Sequence, residues 1–313
     1  MRRLPSFSQW DRALACQPSE TLRHVRTPSP HAKRGSALHK FMEIYVSTNR
    51  DREAALAAIH EEFRAEAARI DVGNFAFPAE VATEVAVGLD LLRQEARTLD
   101  VAYRAYPDPA SPWETHGTLD LIGRDGDHGD KDGMVVLDYK FGFAETESTD
   151  GMQLALGAAS ALALEPSAER AWVGIVRLVD GVMLKPYMRT EPYTRDSLRP
   201  VIERALTWAA KFRAGELSRT YEMGDHCRYC PAFRVCPAQV HLLRGGFAED
   251  NDAITDLPAA YERVTRLDRA LRVAKDQLRE HALREPIPMG DGRVYGMVNG
   301  QVRAHRPREG GGE

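Results

Sequence analysis

The chain is poor in cysteine. Its 313 residues hold four, too few for a disulfide framework, so the fold must rest on a buried apolar core. No apolar run is long enough to cross a bilayer, and the N-terminal stretch MRRLPSFSQW has basic residues without the apolar segment of a secretory signal. These absences predict a cytoplasmic protein with no membrane partner. No Walker A phosphate loop occurs, so the chain carries no nucleotide-driven motor of its own. Internal repeats and low-complexity domains are also missing. Neither sign of charge dominates: 42 Lys and Arg against 46 Asp and Glu leave a net charge of -4. That argues against binding nucleic acid by global attraction. It leaves room for a local basic channel or a metal-mediated contact with phosphate.

What is present suits a soluble core: 43% of residues are hydrophobic and 28% charged. In KRGSALHKFMEIYVST, Leu38, Phe41, Met42 and Tyr45 recur at i, i+3, i+4 and i+7, which predicts a helix with a buried stripe. Residues 51–70 also read as helix. Val81–Leu89 reads as a strand, and LDLLRQEAR after it as a helix. ETHGTLDLIGR and GMVVLDYKFG read as two strands around the loop DGDHGDKDG. An Ala-rich helix follows at 150–164, with Asp150 as its N-cap. RAWVGIVRLVDGVMLKPYM reads as a hairpin turning at Asp180-Gly181. SLRPVIERALTWAAKFRAG is an amphipathic helix (Leu198, Val201, Ile202, Ala205, Ala209, Phe212) ended by Gly215. Residues 257–284 form another, with Val264, Leu267, Leu271, Ala274 and Leu278 alternately three and four apart. Its flanking Arg263, Arg266, Arg269, Arg272, Lys275 and Arg279 make either a solvated face or one that tracks DNA or a partner helix. From Glu285 the chain looks turn-rich, and RPREGGGE disordered. The order predicts an α/β or α+β fold, a central mixed sheet flanked by helices. It also suggests domains at 1–240, 241–285 and 286–313.

The central strands carry the chemistry. Asp120 lies in GTLDLI and Asp138 in VVLDYKFG. Asp138 and Lys140 are two apart on one strand, so they share a face. Val135, Val136 and Leu137 precede them as in a strand buried on both faces. Such a strand ends in ionisable residues when it reaches a cleft. Two carboxylates and a lysine are what metal-assisted phosphodiester hydrolysis needs: oxygen ligands for a hard cation and a fixed positive charge. The plainer alternative is a surface Asp–Lys pair, with Asp120 capping a turn. A second cluster stands in HCRYCPAFRVC, where Cys227, Cys230 and Cys236 are spaced C-x2-C-x5-C. The only other cysteine is Cys16. Either this is a three-cysteine fragment or the two flanks of the chain meet. Four thiolates suit zinc or an iron–sulfur cluster, and the ligands alone do not choose. His226 or His241 could replace Cys16 in a zinc site.

GTLDLI, VVLDYKFG and MQLALGA in succession resemble the PD-(D/E)XK nuclease superfamily, in particular its RecB-like branch. The resemblance implies a restriction-endonuclease-like fold and a Mg2+- or Mn2+-dependent deoxyribonuclease, an exonuclease acting on DNA ends or single strands. It implies Asp120 and Asp138 as metal ligands, Lys140 as the catalytic lysine and Gln153 as the helix glutamine that contacts substrate or orients the lysine. The family's tyrosine four residues on is Gly157 here. His39 in RGSALH is similar to the histidine that completes the family's metal shell, and Glu84 in ATEVAV to an acidic residue on the preceding strand. Some RecB-like nucleases hold a [4Fe-4S] cluster on one cysteine before the nuclease core and three after it. Cys16, Cys227, Cys230 and Cys236 fit that layout, which would join the N- and C-terminal helical segments through the cluster. The partners implied are DNA and a helicase or integrase, in settings such as DNA repair. A non-catalytic DNA-binding or scaffold module is the rival, as is an accessory subunit of such a complex.

Overall fold

Strands in the middle of the chain are covered on both faces, and that dictates the layering. The computed structural model describes residues 3–22, 30–73, 75–101, 105–124, 133–141, 149–179, 181–227, 230–232, 235–238, 257–290, 293–298 and 301–305. The chain divides into two units. One joins Met1–Leu14 to Arg34–Leu217, and the other joins Ala15–Lys33 to Ser218–Glu313.

The first unit is built on a seven-stranded sheet. Its strands are β1 (Ala79–Asp90), β2 (Glu95–Thr98), β3 (Glu114–Arg124), β4 (Gly133–Lys140), β5 (Arg170–Val179), β6 (Val182–Met183) and β7 (Tyr187–Met188). They lie in the order β2-β1-β3-β4-β5-β6, with β7 also paired to β5. β4 and β5 are parallel and every other neighbour is antiparallel, so the sheet is mixed. A parallel pair needs a crossover, here α5 (Met152–Leu164). The helix α1 (Trp10–Ala15), α5 and α6 (Arg195–Ala214) cover one face. Trp10, Leu156, Ile175 and Trp208 form part of that core. α2 (Pro30–Ser47), α3 (Arg52–Ala57) and α4 (Glu61–Ala67) belong to the other. There Leu38, Phe41 and Met42 pack with Leu137, Tyr139 and Val176. The expected α/β class with helices flanking a mixed sheet is what the chain adopts.

Four local expectations differ. Residues 89–97 are a hairpin, not a helix. Asp90 Oδ1 accepts the N–H groups of Leu92 at 3.0 Å and Arg93 at 2.9 Å. Gln94 takes a left-handed φ of 55°. This turn returns the chain into β2, where Thr98 faces Val87. The span 51–70 holds two short helices rather than one, because His60 caps the second by accepting the N–H of Glu62. The N-cap of α5 is Gly151, not Asp150. Its first N–H is taken by Asp11 of α1 at 3.0 Å, while Asp150 pairs with Arg189 at 2.9 Å. Beyond Glu285 the chain forms a small antiparallel sheet of β8 (Ile287–Pro288), β9 (Val294–Val298) and β10 (Gln301–His305). The expected α7 (Leu257–Ala282) is present in this second unit. In it Arg266 and Arg272 make i,i+4 ion pairs with Glu262 and Asp268. Asp180, His241 and the glycine-rich end lie outside the described residues.

Candidate active site

The site sits where β3 and β4 part. Their ladder runs from Arg124↔Met134 to Leu121↔Leu137 and stops. The next residues in that register are Asp120 and Asp138. On β1, Thr83 faces Leu121 and Val85 faces Leu119, which sets Glu84 beside Asp120. Three carboxylates therefore stand in one row across three strands. Beyond the ladder the N–H of Tyr139 needs a new acceptor, and Asp120 Oδ2 provides it at 2.8 Å. Glu84 holds a φ of 49°, a left-handed conformation that costs a non-glycine residue energy and recurs at functional sites.

His39 comes from α2. Its neighbour Leu38 is fully buried, whereas His39 turns off the apolar stripe, its ring edge-on to Phe141 at 5.1 Å between centroids. Its Nδ1 is 3.3 Å from Glu84 Oε1 and 3.6 Å from Asp120 Oδ2. One ligand atom each from His39, Glu84 and Asp120 lies within 4.8 Å of the others, close enough to share a metal ion. Asp138 is engaged differently. Lys140 Nζ is 2.9 Å from Oδ2, and Gln153 Nε2 donates to Oδ1 at 2.5 Å.

Electrostatics match this crowding. Burial first, then the charges of Asp138 and Glu84, push Asp120 up to about 7, against the opposing pull of His39 and the Tyr139 N–H. Burial would lower His39, but Asp120, Glu84 and Asp138 outweigh it and raise its pKa. Carboxylates that burden one another in this way are relieved by a cation.

The structure thus brings together His39, Glu84, Asp120, Asp138, Lys140 and Gln153. Gly157 does not belong to this group. A Cβ there would meet Val136 at 3.3 Å and Leu119 at 3.4 Å, so the position faces the sheet. Sequence reasoning missed Arg34, whose guanidinium bonds both Glu66 and the carbonyl of Phe141, just past Lys140. Only an arginine ahead of the helix stripe could have signalled it.

The second unit gathers the cysteines. Cys16, Cys227, Cys230 and Cys236 line one small cavity with Ser19, Leu22, Glu222 and His226. Cys16 and Cys227 are buried and all four are free thiols. Burial first raises the Cys16 thiol, and the neighbouring Cys236 adds to this. Ser218 N donates to Gln17 Oε1 at 2.8 Å beside them, so the two flanks of the chain do meet.

A mixed sheet whose central strands part over clustered carboxylates and a lysine can hold a divalent cation beside a fixed positive charge. The model of the PD-(D/E)XK nuclease superfamily matches residues 6–237, and the chain belongs to that superfamily. Among solved structures, one described as "Crystal structure of SSO0001" is similar over 74% of this chain and 96% of that chain, at 17% identity and a TM-score of 0.27. That likeness is too loose to bear on the site. A comparison with curated proteins gives no match. Among the described residues, no helix is long and apolar enough to cross a membrane.

Proposed function

We propose that the chain is a Mg2+- or Mn2+-dependent deoxyribonuclease, an exonuclease acting on single strands or DNA ends. The observation that carries this reading is the row of Glu84, Asp120 and Asp138 with His39 and Lys140 against it. Asp120, Asp138 and His39 would hold the ion, with Glu84 beside His39. Carboxylate oxygens and one imidazole suit these metals. The ion's chemistry, when bound, would be to polarise the phosphodiester and lower the pKa of a water. The chain's own groups do the rest. Lys140 places a fixed positive charge beside Asp138, where negative charge builds on the phosphate oxygens. Gln153 fixes the Asp138 carboxylate through Oδ1. Hydrolysis then adds water across one P–O bond.

The test is single-turnover cleavage of a labelled strand with Mg2+, Mn2+ or chelator. Wild type should cut only with a divalent ion. Lys140→Ala should still bind DNA while its rate falls at least about a hundredfold, as for a lost charge-stabilising group. Cleavage by Lys140→Ala at the wild-type rate would reject the assignment.

The four thiols around one cavity fit a group that takes four thiolates. A [4Fe-4S] cluster, with zinc as the alternative, would be held by Cys16, Cys227, Cys230 and Cys236. Such a group would tie residues from both flanks into one covalent knot. A non-catalytic DNA-binding module makes no use of a lysine paired with Asp138 at the parting strands. A helicase or integrase is the class of protein partner that this reading accommodates.

A further inference from the structure

The cross-strand row that holds the carboxylates continues beyond the site with other residues. In the parallel ladder of β4 and β5, Asp138 faces Ile175 and Lys140 faces Arg177. In the antiparallel pairing of β5 and β7, Ile175 faces Tyr187. Side chains directly opposite across neighbouring strands lie on the same face. Tyr187 therefore shares the face of Asp138, two strand spacings or roughly 10 Å away. Its side chain is 63% exposed, although a tyrosine next to buried Ile175 could have extended the core. Arg177 is half-buried on the same face, one strand over from Lys140. Leu184 N donates to the Arg177 carbonyl at 2.9 Å. The segment leading into β7 then exposes Lys185. The edge next to the carboxylates thus carries an exposed aromatic ring, with Arg177 on the adjacent strand and Lys185 two residues before it in the chain.

That combination matches one ligand chemistry. Single-stranded nucleic acid presents a base face that stacks on an aromatic ring and a phosphate chain that follows positive charge. A duplex buries all but its terminal base faces and offers the ring no internal base to stack on. We infer that the β5–β7 edge is the entry track for single-stranded DNA, with a base stacked on Tyr187 and its backbone phosphates held by Arg177 and Lys185 on the way to Lys140. This rests on the nuclease reading and narrows it: the strand enters unpaired.

The experiment separates the two. Binding of a fluorescein-labelled oligothymidylate and of a blunt duplex of equal length is measured by anisotropy with chelator present, so no cleavage is needed. Cleavage by wild type with Mn2+ is assayed on the same preparation. Tyr187→Ala should weaken the single-strand Kd about tenfold, and Tyr187→Phe, which keeps the ring, should stay within about twofold of wild type. Duplex binding should be the same in all three proteins. Arg177→Gln should weaken single-strand binding and reduce its log–log salt slope by about 0.7, the value for one lost phosphate contact. The inference is overturned if Tyr187→Ala binds the single strand as wild type does, if single strand and duplex suffer equally, or if wild type does not bind the single strand at all. Cleavage by wild type alongside an unaffected Tyr187→Ala would sink the entry track and leave the nuclease reading standing. Ring-dependent binding without cleavage would do the reverse.

Discussion

Asp120 and Lys140 are neighbours in the site, yet their losses should look different. Asp120 is buried, and Tyr139 N–H and His39 both depend on it. Asp120→Ala should abolish calorimetric binding of Mn2+ as well as cleavage, whereas Lys140→Ala keeps all three carboxylates and should lose only turnover. Titration curves that are the same for Asp120→Ala and wild type would remove Asp120 from the ligand set. Of these residues, Asp120, Asp138 and Lys140 were legible because strand alternation is local and two-residue spacing fixes a face. Glu84 was barely legible, since its place beside Asp120 is set by a register between strands that the sequence does not print. A second residue pair sets acid stability. Burial would raise Glu114, but the N–H groups of Ala110, His116 and Arg97 outweigh it and hold it below its usual value of 4.5. Burial holds His116 below 6.5 despite the pull of Glu114. In both cases the unfolded chain binds protons more readily, so the stabilisation present at neutral pH is lost as pH falls. The loss begins near 6.5 for His116 and continues below 4.5 for Glu114. Thermal melts should show Glu114→Gln less stable than wild type at neutral pH and with a flatter decline towards pH 4. Parallel declines for the two proteins would refute this account of the pair.

At the scale of elements, the first turn of the chain is locked by close approach. Phe7 is buried against β3 at Gly117, where an added Cβ would fall 2.1 Å from the phenyl ring. Gly117→Ala must push the ring out of the core, at a cost of about 1–3 kcal/mol. Chemical denaturation should show a lower midpoint, and an unchanged midpoint would mean that Phe7 does not pack there. The helices at 30–47 and 195–214 and the strands β3 and β4 were readable because each carries a long, one-sided or fully apolar pattern. The hairpin at 89–98 was not, because one aspartate side chain decides it. Nor was the cap of α5, which arrives from Asp11, 141 residues upstream in the sequence. The strands β8 to β10 span at most five residues each and mix apolar with polar positions, so turn signals masked them.

At the scale of the whole molecule, the metal content of the purified protein is the informative quantity. Protein prepared without oxygen should be brown and contain iron and sulfide in near-equal amounts. Cys16→Ala should bleach it and lower its thermal stability, because one of the four thiols facing the cavity is gone. Stoichiometric zinc in a colourless protein would exclude the iron–sulfur cluster. Metal content unaffected by Cys16→Ala would remove Cys16 from the site. The second unit is assembled from Ala15–Lys33 and Ser218–Glu313, with the first unit's sequence between them. On a ribosome this arrangement imposes an order of events. Cys16 emerges early, and its partners at 227, 230 and 236 follow only after roughly ten to forty seconds of elongation at ~5–20 residues per second. For that interval the nascent chain carries a lone thiol awaiting its cavity, while the sheet of the first unit is already being completed. Nascent chains that stall before residue 227 would thus hold every proposed nuclease residue and still leave Cys16 without its partner thiols.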